Sequence, residues 1–188
     1  MGQTLDDAAG EAFDKVAKIL GLGYPGGAVI EAMALSGKKD AIDFPRAQIS
    51  QDSLDFSFSG LKTAVSLFVD RWQSNEKIRT EIKREDIAAS FQEAVIDVLS
   101  KKIMRAVDKA GVGAMVVAGG VACNRALRQR LSEQADAVGI KFHYPRPAYC
   151  TDNGAMIALT GYHRIMRGEL SGQAEDVRSR YPVEEINK

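Results

Sequence analysis

The sequence has little with which to build a disulfide framework: two cysteines, Cys123 and Cys150, in 188 residues, with no C-x-x-C spacing. Free thiols are the default state of both. It lacks a charge imbalance, since 25 Lys and Arg offset 25 Asp and Glu, so any binding to nucleic acid or an anionic surface has to be local. It lacks long apolar runs; residues 114–118 form one of the longest, far short of the roughly 20 residues that span a bilayer. The start, Met1-Gly2-Gln3-Thr4-Leu5-Asp6-Asp7, has neither the basic residues nor the apolar run of a secretion signal. A cytoplasmic chain with no membrane segment is expected. G-x-S-x-G, H-E-x-x-H and Walker A patterns are absent, which disfavours a self-contained serine hydrolase, zincin or P-loop enzyme. His143 and His163 do not form an H-x-x-x-H pair, and no spacing fixes Cys123 and Cys150 in a zinc site.

What is present suits a folded chain. Hydrophobic residues make up 45% and charged residues 27%, enough for a real core in one domain or one lobe of a larger protein. Leu5, Ala9, Ala12, Phe13, Val16, Ala17 and Leu20 lay one stripe along a first helix, with Thr4 and Asp7 placed to cap it and Gly21 and Gly23 to end it. The turn Tyr24-Pro25-Gly26-Gly27 leads into a second apolar stretch over 29–35, and its glycines let backbone come close to something. Residues 37–60 lose periodicity, apart from an alternating Asp55-Phe56-Ser57-Phe58-Ser59 that suggests a short strand. A helix is expected over 61–72, then a charged segment over 76–84. The longest helix places Ile87, Phe91, Ala94, Val95, Val98, Ile103, Ala106, Val107 and Ala110 on one face and stops at Gly111. The run 114–118 reads as a strand buried on both faces, followed by a helix over 124–137, a second strand over 141–144, and a helix capped by Thr151 and Asp152 that runs toward Gly168. That order predicts an α/β fold with a parallel βαβ unit, ending in about twenty polar, extended residues.

Chemistry is suggested at four places. Gly119-Gly120 between a strand and a helix can present backbone N–H groups and a positive helix end to a phosphate, or can simply make a tight turn. Asn124 is either the cap of the next helix or a donor at the mouth of that cradle. Asp14 is either half of a surface pair with Lys18 or, beside Gly26-Gly27, a carboxylate for ribose hydroxyls. Glu31, one turn into the second helix, can do the same or bind an exocyclic amine. Asp152 is a helix-start carboxylate whether or not it does chemistry. Arg125, Arg128 and Arg130, with Lys101, Lys102, Arg105 and Lys109, read as a solvated face rather than an RNA or partner surface.

Five blocks then carry a family resemblance: 6–15, Gly23-Tyr24-Pro25-Gly26-Gly27, Asp55-Phe56-Ser57-Phe58-Ser59-Gly60-Leu61-Lys62, 117–125, and Thr151-Asp152-Asn153-Gly154-Ala155-Met156-Ile157-Ala158. In order and spacing, from about Gly2 to Pro182, they resemble the TsaD/Gcp family. These are tRNA threonylcarbamoyladenosine transferases, formerly called O-sialoglycoprotein endopeptidases or glycoproteases. The resemblance implies an actin-like ATPase fold of the sugar-kinase and chaperone superfamily, a helix-rich α/β lobe with a mixed sheet. It implies ATP or threonylcarbamoyl adenylate as ligand, with Asp14, Gly27 and Glu31 on the ribose or base side and Gly119, Gly120 and Asn124 as the cradle. Asp152 becomes one ligand of an iron or zinc ion.

The likeness is to the C-terminal part only, so residues 1–188 are expected to be a single lobe. The first lobe, with its two metal-binding histidines and a further glycine-rich loop, is not in this sequence. One carboxylate cannot hold a catalytic metal that needs about three protein ligands, so the chain alone is expected to be inactive. The implied partners are the other lobe, further proteins of the threonylcarbamoyladenosine pathway and tRNA. The alternatives are a non-enzymatic interaction module, such as a homodimer formed through the surface a first lobe would cover, and, ranked last, a metal-dependent glycoprotease.

Overall fold

The computed structural model describes residues 1–46, 50, 52–170 and 172. They divide into two units, Met1–Thr151 and Asp152–Lys188, which are described separately. In the first, α1 (Ala9–Ile19) buries Ala12, Phe13, Val16 and Ala17, the predicted stripe. It starts later than its apolar pattern suggests, because the preceding segment has other partners. Leu5 N donates to Phe56 O at 2.9 Å and Phe56 N to Gln3 O at 2.8 Å, a single parallel bridge in place of the predicted short strand. Thr4 and Asp7 therefore do not cap α1, whose N-cap position is Ala8 without a side-chain bond. Asp7 instead meets Lys15 at 2.6 Å and Lys62 at 3.4 Å. Its neighbour Asp6 accepts from the amides of Phe58 (2.8 Å) and Ser59 (3.3 Å) at the start of α3 (Ser59–Ser74), an N-terminal cap delivered from a distant part of the chain.

α2 (Gly26–Ala34) lies against α1, and the charged segment contains a short helix, α4 (Glu76–Glu81). α5 (Arg84–Ala110) is the central element and ends at Gly111, in the left-handed region at φ 61°. Its first half packs Ile87, Phe91, Ala94, Val95 and Val98 into a cluster with α1, α2 and α3, where Phe13 and Phe91 meet edge to face at 5.2 Å. Its second half contributes to another cluster with Met115, Leu127, Leu131 and Ala135, and Leu99 and Val121 belong to both. Asp86 ties the N-terminus of α5 to the loop after α2 by accepting from Lys83 N and Lys38 N, each at 2.8 Å. Burial pushes the Asp86 carboxyl up, but these amides and the nearby lysine charges outweigh it and hold the group below its ordinary value.

β1 (Ala114–Val116), α6 (Arg125–Val138) and β2 (Lys141–His143) form the βαβ unit, with the strands parallel and Met115 opposite Phe142. The fold is thus a helix-rich α/β arrangement with a small parallel sheet. β1 is not buried on both faces: Met115 is covered, whereas Val116 is 70% exposed. Among the described residues the sheet has two strands, and the alternation in burial shows that packing covers one side of β1.

Of the basic residues read as a solvated face, Lys101, Arg105, Lys109 and Arg125 are exposed, whereas Lys102, Arg128 and Arg130 are more covered than their spacing suggests. Lys102 is buried and donates to the carbonyls of Ser53 and Asp55, and burial, then the charge of Arg105, lowers its ammonium pKa. Arg130 pairs with Glu93 at 2.7 Å, and Lys109 donates to Asp52 O at 3.0 Å.

In the second unit α7 (Gly154–Met166) is capped by Asn153, whose side chain accepts from Met156 N at 3.0 Å. The cap is thus one residue beyond the predicted Thr151 and Asp152. No described helix is long and apolar enough to cross a membrane. The predicted extended tail lies almost entirely outside the described residues.

Candidate functional site

The first unit contains a cavity of about 460 Å3, a size typical of small-molecule sites. One wall is α1, through Gly10, Phe13 and Asp14; another is the start of α2 with Tyr24, Pro25, Gly27, Ala28 and Glu31. The third is the segment between β1 and α6, with Gly120, Val121, Cys123 and Asn124, completed by Thr151. Five of the predicted residues, Asp14, Gly27, Glu31, Gly120 and Asn124, thus come together from three separate parts of the chain. Gly119 precedes this lining and turns the chain into a 3-10 turn, Gly120–Cys123, at φ 91°, a conformation that disfavours any side chain. Asp152 belongs to the second unit, directly before the Asn153 cap of α7.

Each polar member also holds the scaffold. Asp14 does not pair with Lys18 in the way its helical spacing allows; its Oδ1 accepts from Gly26 N at 2.8 Å, at the first turn of α2. An i,i+4 pair forms three residues earlier, between Glu11 and Lys15 at 2.7 Å. Glu31 Oε1 accepts from Arg125 N at 2.6 Å, which places a carboxylate on the first amide of α6. Asn124 Oδ1 accepts from Leu127 N at 3.0 Å, and its Nδ2 donates to Gln92 Oε1 at 2.7 Å. Asn124 therefore caps α6 and lines the cavity, with its amide group turned to Gln92.

The two glycines of the turn differ in role. A Cβ on Gly26 would stand 2.5 Å from Asp14 Cα and 2.6 Å from Phe13 O, so this is where α2 touches the backbone of α1. A Cβ on Gly27 would meet nothing within 4 Å, and Gly27 is among the residues that line the cavity. Sequence reasoning noticed the pair without separating these roles. It also passed over Gln92, a buried polar residue on the core-facing side of α5 whose only signal is its place beside Phe91.

Cys123 is half-buried on the cavity side, with Cys150 close to it; burial and then that second thiol raise the Cys123 pKa, against the opposing charge of Arg128. Among the described residues no three His, Cys, Asp or Glu side chains gather where they can hold a metal ion. A catalytic zinc or iron site needs about three protein ligands, so the described residues do not by themselves complete the implied metal site.

Comparison with known proteins gives this geometry a context. The sequence model for TsaD, tRNA N6-adenosine threonylcarbamoyltransferase, matches residues 1–159. Proteins named tRNA N6-adenosine threonylcarbamoyltransferase are similar over nearly the whole chain. That of Geotalea uraniireducens is 49% identical over 186 residues, 99% of this chain and 53% of the relative. That of Geobacter sulfurreducens is 50% identical over 184 residues, 98% of this chain and 53% of the relative. That of Desulfotalea psychrophila is 49% identical over 180 residues, 96% of this chain and 52% of the relative. The chain spans about half the length of these curated relatives, and with a family match over most of its residues it belongs to the TsaD family.

Proposed function

We propose that this chain is the C-terminal lobe of a tRNA N6-adenosine threonylcarbamoyltransferase with an actin-like ATPase fold, and that its cavity is one half of the cleft for ATP or threonylcarbamoyl adenylate. The observation that carries the reading is the convergence of Asp14, Gly27, Glu31, Gly120 and Asn124 on one cavity. In the proposed binding mode the carboxylates of Asp14 and Glu31 accept hydrogen bonds from ribose hydroxyls or a base amine, and the missing side chain of Gly27 leaves room for the nucleoside. The same two negative charges repel the phosphate from that end and direct it toward Gly119-Gly120, where backbone N–H groups can stabilise charge on the leaving phosphate. The reaction is attack by the exocyclic amine of an adenosine in tRNA on the carbamoyl carbonyl, with AMP departing. The lobe's part is to bind and orient the adenylate.

No step is assigned to a metal, since the described residues do not complete a site for one. The other lobe, the pathway proteins and tRNA are the partners of this reading, in the cytoplasm. An open half-cleft neither excludes water nor orders its ligand fully, so the chain alone is inactive and binds nucleotide weakly.

Calorimetric titration with magnesium ATP tests the reading, on the chain alone and after addition of a separately produced N-terminal half from a full-length relative. Saturable binding is expected in at least the second case. It should disappear in Gly27→Leu, whose side chain enters the cavity without meeting the core. Absence of binding in both cases, or undiminished binding by Gly27→Leu, refutes the proposal.

A further inference from the structure

The nucleotide reading leaves two sulfur atoms unused, one in the cavity wall and one buried near it. Cys123 lines the cavity, Cys150 is 3% exposed, and both are free thiols. One short turn gathers them. The Cys123 thiol points at Pro147 O, 3.7 Å from Sγ, and the same carbonyl accepts the Cys150 amide at 3.1 Å. The Cys150 thiol lies 3.7 Å from Pro145 O. Arg128 spans both cysteine-bearing segments: its Nη2 donates to Cys150 Sγ and to Pro145 O, each at 3.2 Å, and its Nε donates to Ala122 O, next to Cys123. The guanidinium is held in turn over the Tyr144 ring, 4.4 Å from its centroid.

We propose that Cys123 and Cys150 are a site of oxidative modification, a dithiol that a low-molecular-weight disulfide converts into an intrachain disulfide in the cavity wall. The Cys123 thiolate attacks one sulfur of the oxidant and expels the other half as a thiol. The Cys150 thiolate then attacks the Cys123 sulfur of the mixed disulfide and expels the second half. Two protein thiols are oxidised, one small disulfide is reduced to two thiols, and the two protein protons leave on those thiols. Cys123 is the entry sulfur because it borders the cavity, whereas buried Cys150 offers an oxidant no approach. An S–S bond of about 2 Å is much shorter than a contact between thiols, so closure draws the Cys123 sulfur toward Cys150 and ties the 3-10 turn to the segment before α7.

The test is incubation of the native chain with oxidised glutathione, read by intact mass and a non-reducing peptide map. The expected product is lighter by about two mass units, the two hydrogens lost, with Cys123 and Cys150 peptides cross-linked and released by a dithiol reductant. Cys150→Ser should stop at one glutathionyl group on Cys123, and Cys123→Ser should take none. A wild-type chain that keeps two free thiols, or accumulates glutathionyl-Cys123 without closing, overturns the proposal. So does glutathionylation of Cys150 in Cys123→Ser. The wild-type map decides the matter even if a variant folds poorly, and none of these readouts depends on nucleotide binding.

Discussion

Replacing Gly26 or Gly27 by alanine adds the same methyl group at adjacent positions of one helix, and the consequences should have opposite signs. At Gly26 the new Cβ would lie 2.5 Å from Asp14 Cα, 2.6 Å from Phe13 O and 2.8 Å from Asp14 N. Carbon atoms in ordinary contact sit about 3.5–4.0 Å apart, so α1 and α2 must separate by about 1 Å. Backbone on both sides leaves no flexible side chain to move aside. Overpacking of this kind costs about 1–3 kcal/mol, and the shift strains the bond from Gly26 N to the Asp14 carboxylate, a charge-assisted hydrogen bond worth about 1.5–3 kcal/mol. Against this, alanine gains about 0.5–1 kcal/mol over glycine in a helix. The net loss for Gly26→Ala is about 1.5–5.5 kcal/mol by these values, the upper end only if the hydrogen bond is lost outright. Gly27→Ala meets nothing within 4 Å and should be neutral or stabilising by up to about 1 kcal/mol. Urea unfolding followed by Trp72 fluorescence suits the measurement, because this single tryptophan packs against the same core and bonds to Ile82 O at 2.7 Å. With a slope of about 1–3 kcal/mol per molar, the two midpoints should differ by about 1–2 M. Equal midpoints, or a Gly27→Ala midpoint as low as that of Gly26→Ala, would refute the assignment of one glycine to packing and the other to open space.

Asn124→Ala should cost about 2–4 kcal/mol, since it removes a helix cap and leaves the buried Gln92 oxygen without its donor; Asn124→Asp, which keeps the capping oxygen, should recover part of that in the same assay. Glu31→Ala should cost about 1 kcal/mol by uncovering the first amide of α6, whereas Arg125→Ala, whose exposed side chain adds only a weak pair to Glu31 at 3.6 Å, should change stability by less than about 0.5 kcal/mol. Equal losses would show that the ion pair and not the amide contact matters. Folding depresses the Asp86 carboxyl, so its stabilising contribution is complete above the ordinary aspartate value of 3.8 and is lost as pH falls through the lower folded value. The stability gap between wild type and Asp86→Asn, from urea midpoints at several pH values, should therefore narrow below about pH 4; a gap that widens on acidification would reverse the assigned sign.

The helices were legible because each buries a stripe whose 3.6-residue period survives in the sequence, as in Phe13, Val16 and Leu20 or Ile87, Phe91 and Val98. What bridges distant segments was not. Thr4 and Asp7 have the spacing of a local cap, yet Thr4 is bridged to Phe56 and Asp6 caps α3 across fifty positions of chain; capping by a remote carboxylate leaves no local pattern. The same holds for Lys102, whose charge reads as surface although its ammonium is buried under the Ser53–Asp55 carbonyls. The apolar run of β1 reads as doubly buried because hydrophobicity reports a preference for burial and not the presence of a covering layer, and among the described residues none covers Val116. The candidate site residues could be picked out by type and by family likeness, but their convergence depends on α2 and the Gly120–Cys123 turn meeting α1, which only tertiary packing determines.

That convergence has an electrostatic consequence for the proposed ligand. The N-termini of α2 and α6 both face the cavity region, and each is already met by a carboxylate from another helix: Asp14 on the Gly26 amide and Glu31 on the Arg125 amide. A phosphate brought to the first turn of α6 would therefore stand beside Glu31. Two unit charges 4 Å apart repel by about 4 kcal/mol at an effective dielectric constant near 20, which exceeds the 0.3–1 kcal/mol that a helix end typically returns to an anion. The binding mode consistent with both numbers sets the phosphate upstream, at Gly119-Gly120, and leaves the two helix ends to the uncharged nucleoside. Glu31→Gln then separates the possibilities: it should weaken adenosine and ATP binding alike if the carboxylate serves the nucleoside, whereas a gain for ATP alone would mean that the phosphate lies at α6 and that the proposed orientation is reversed.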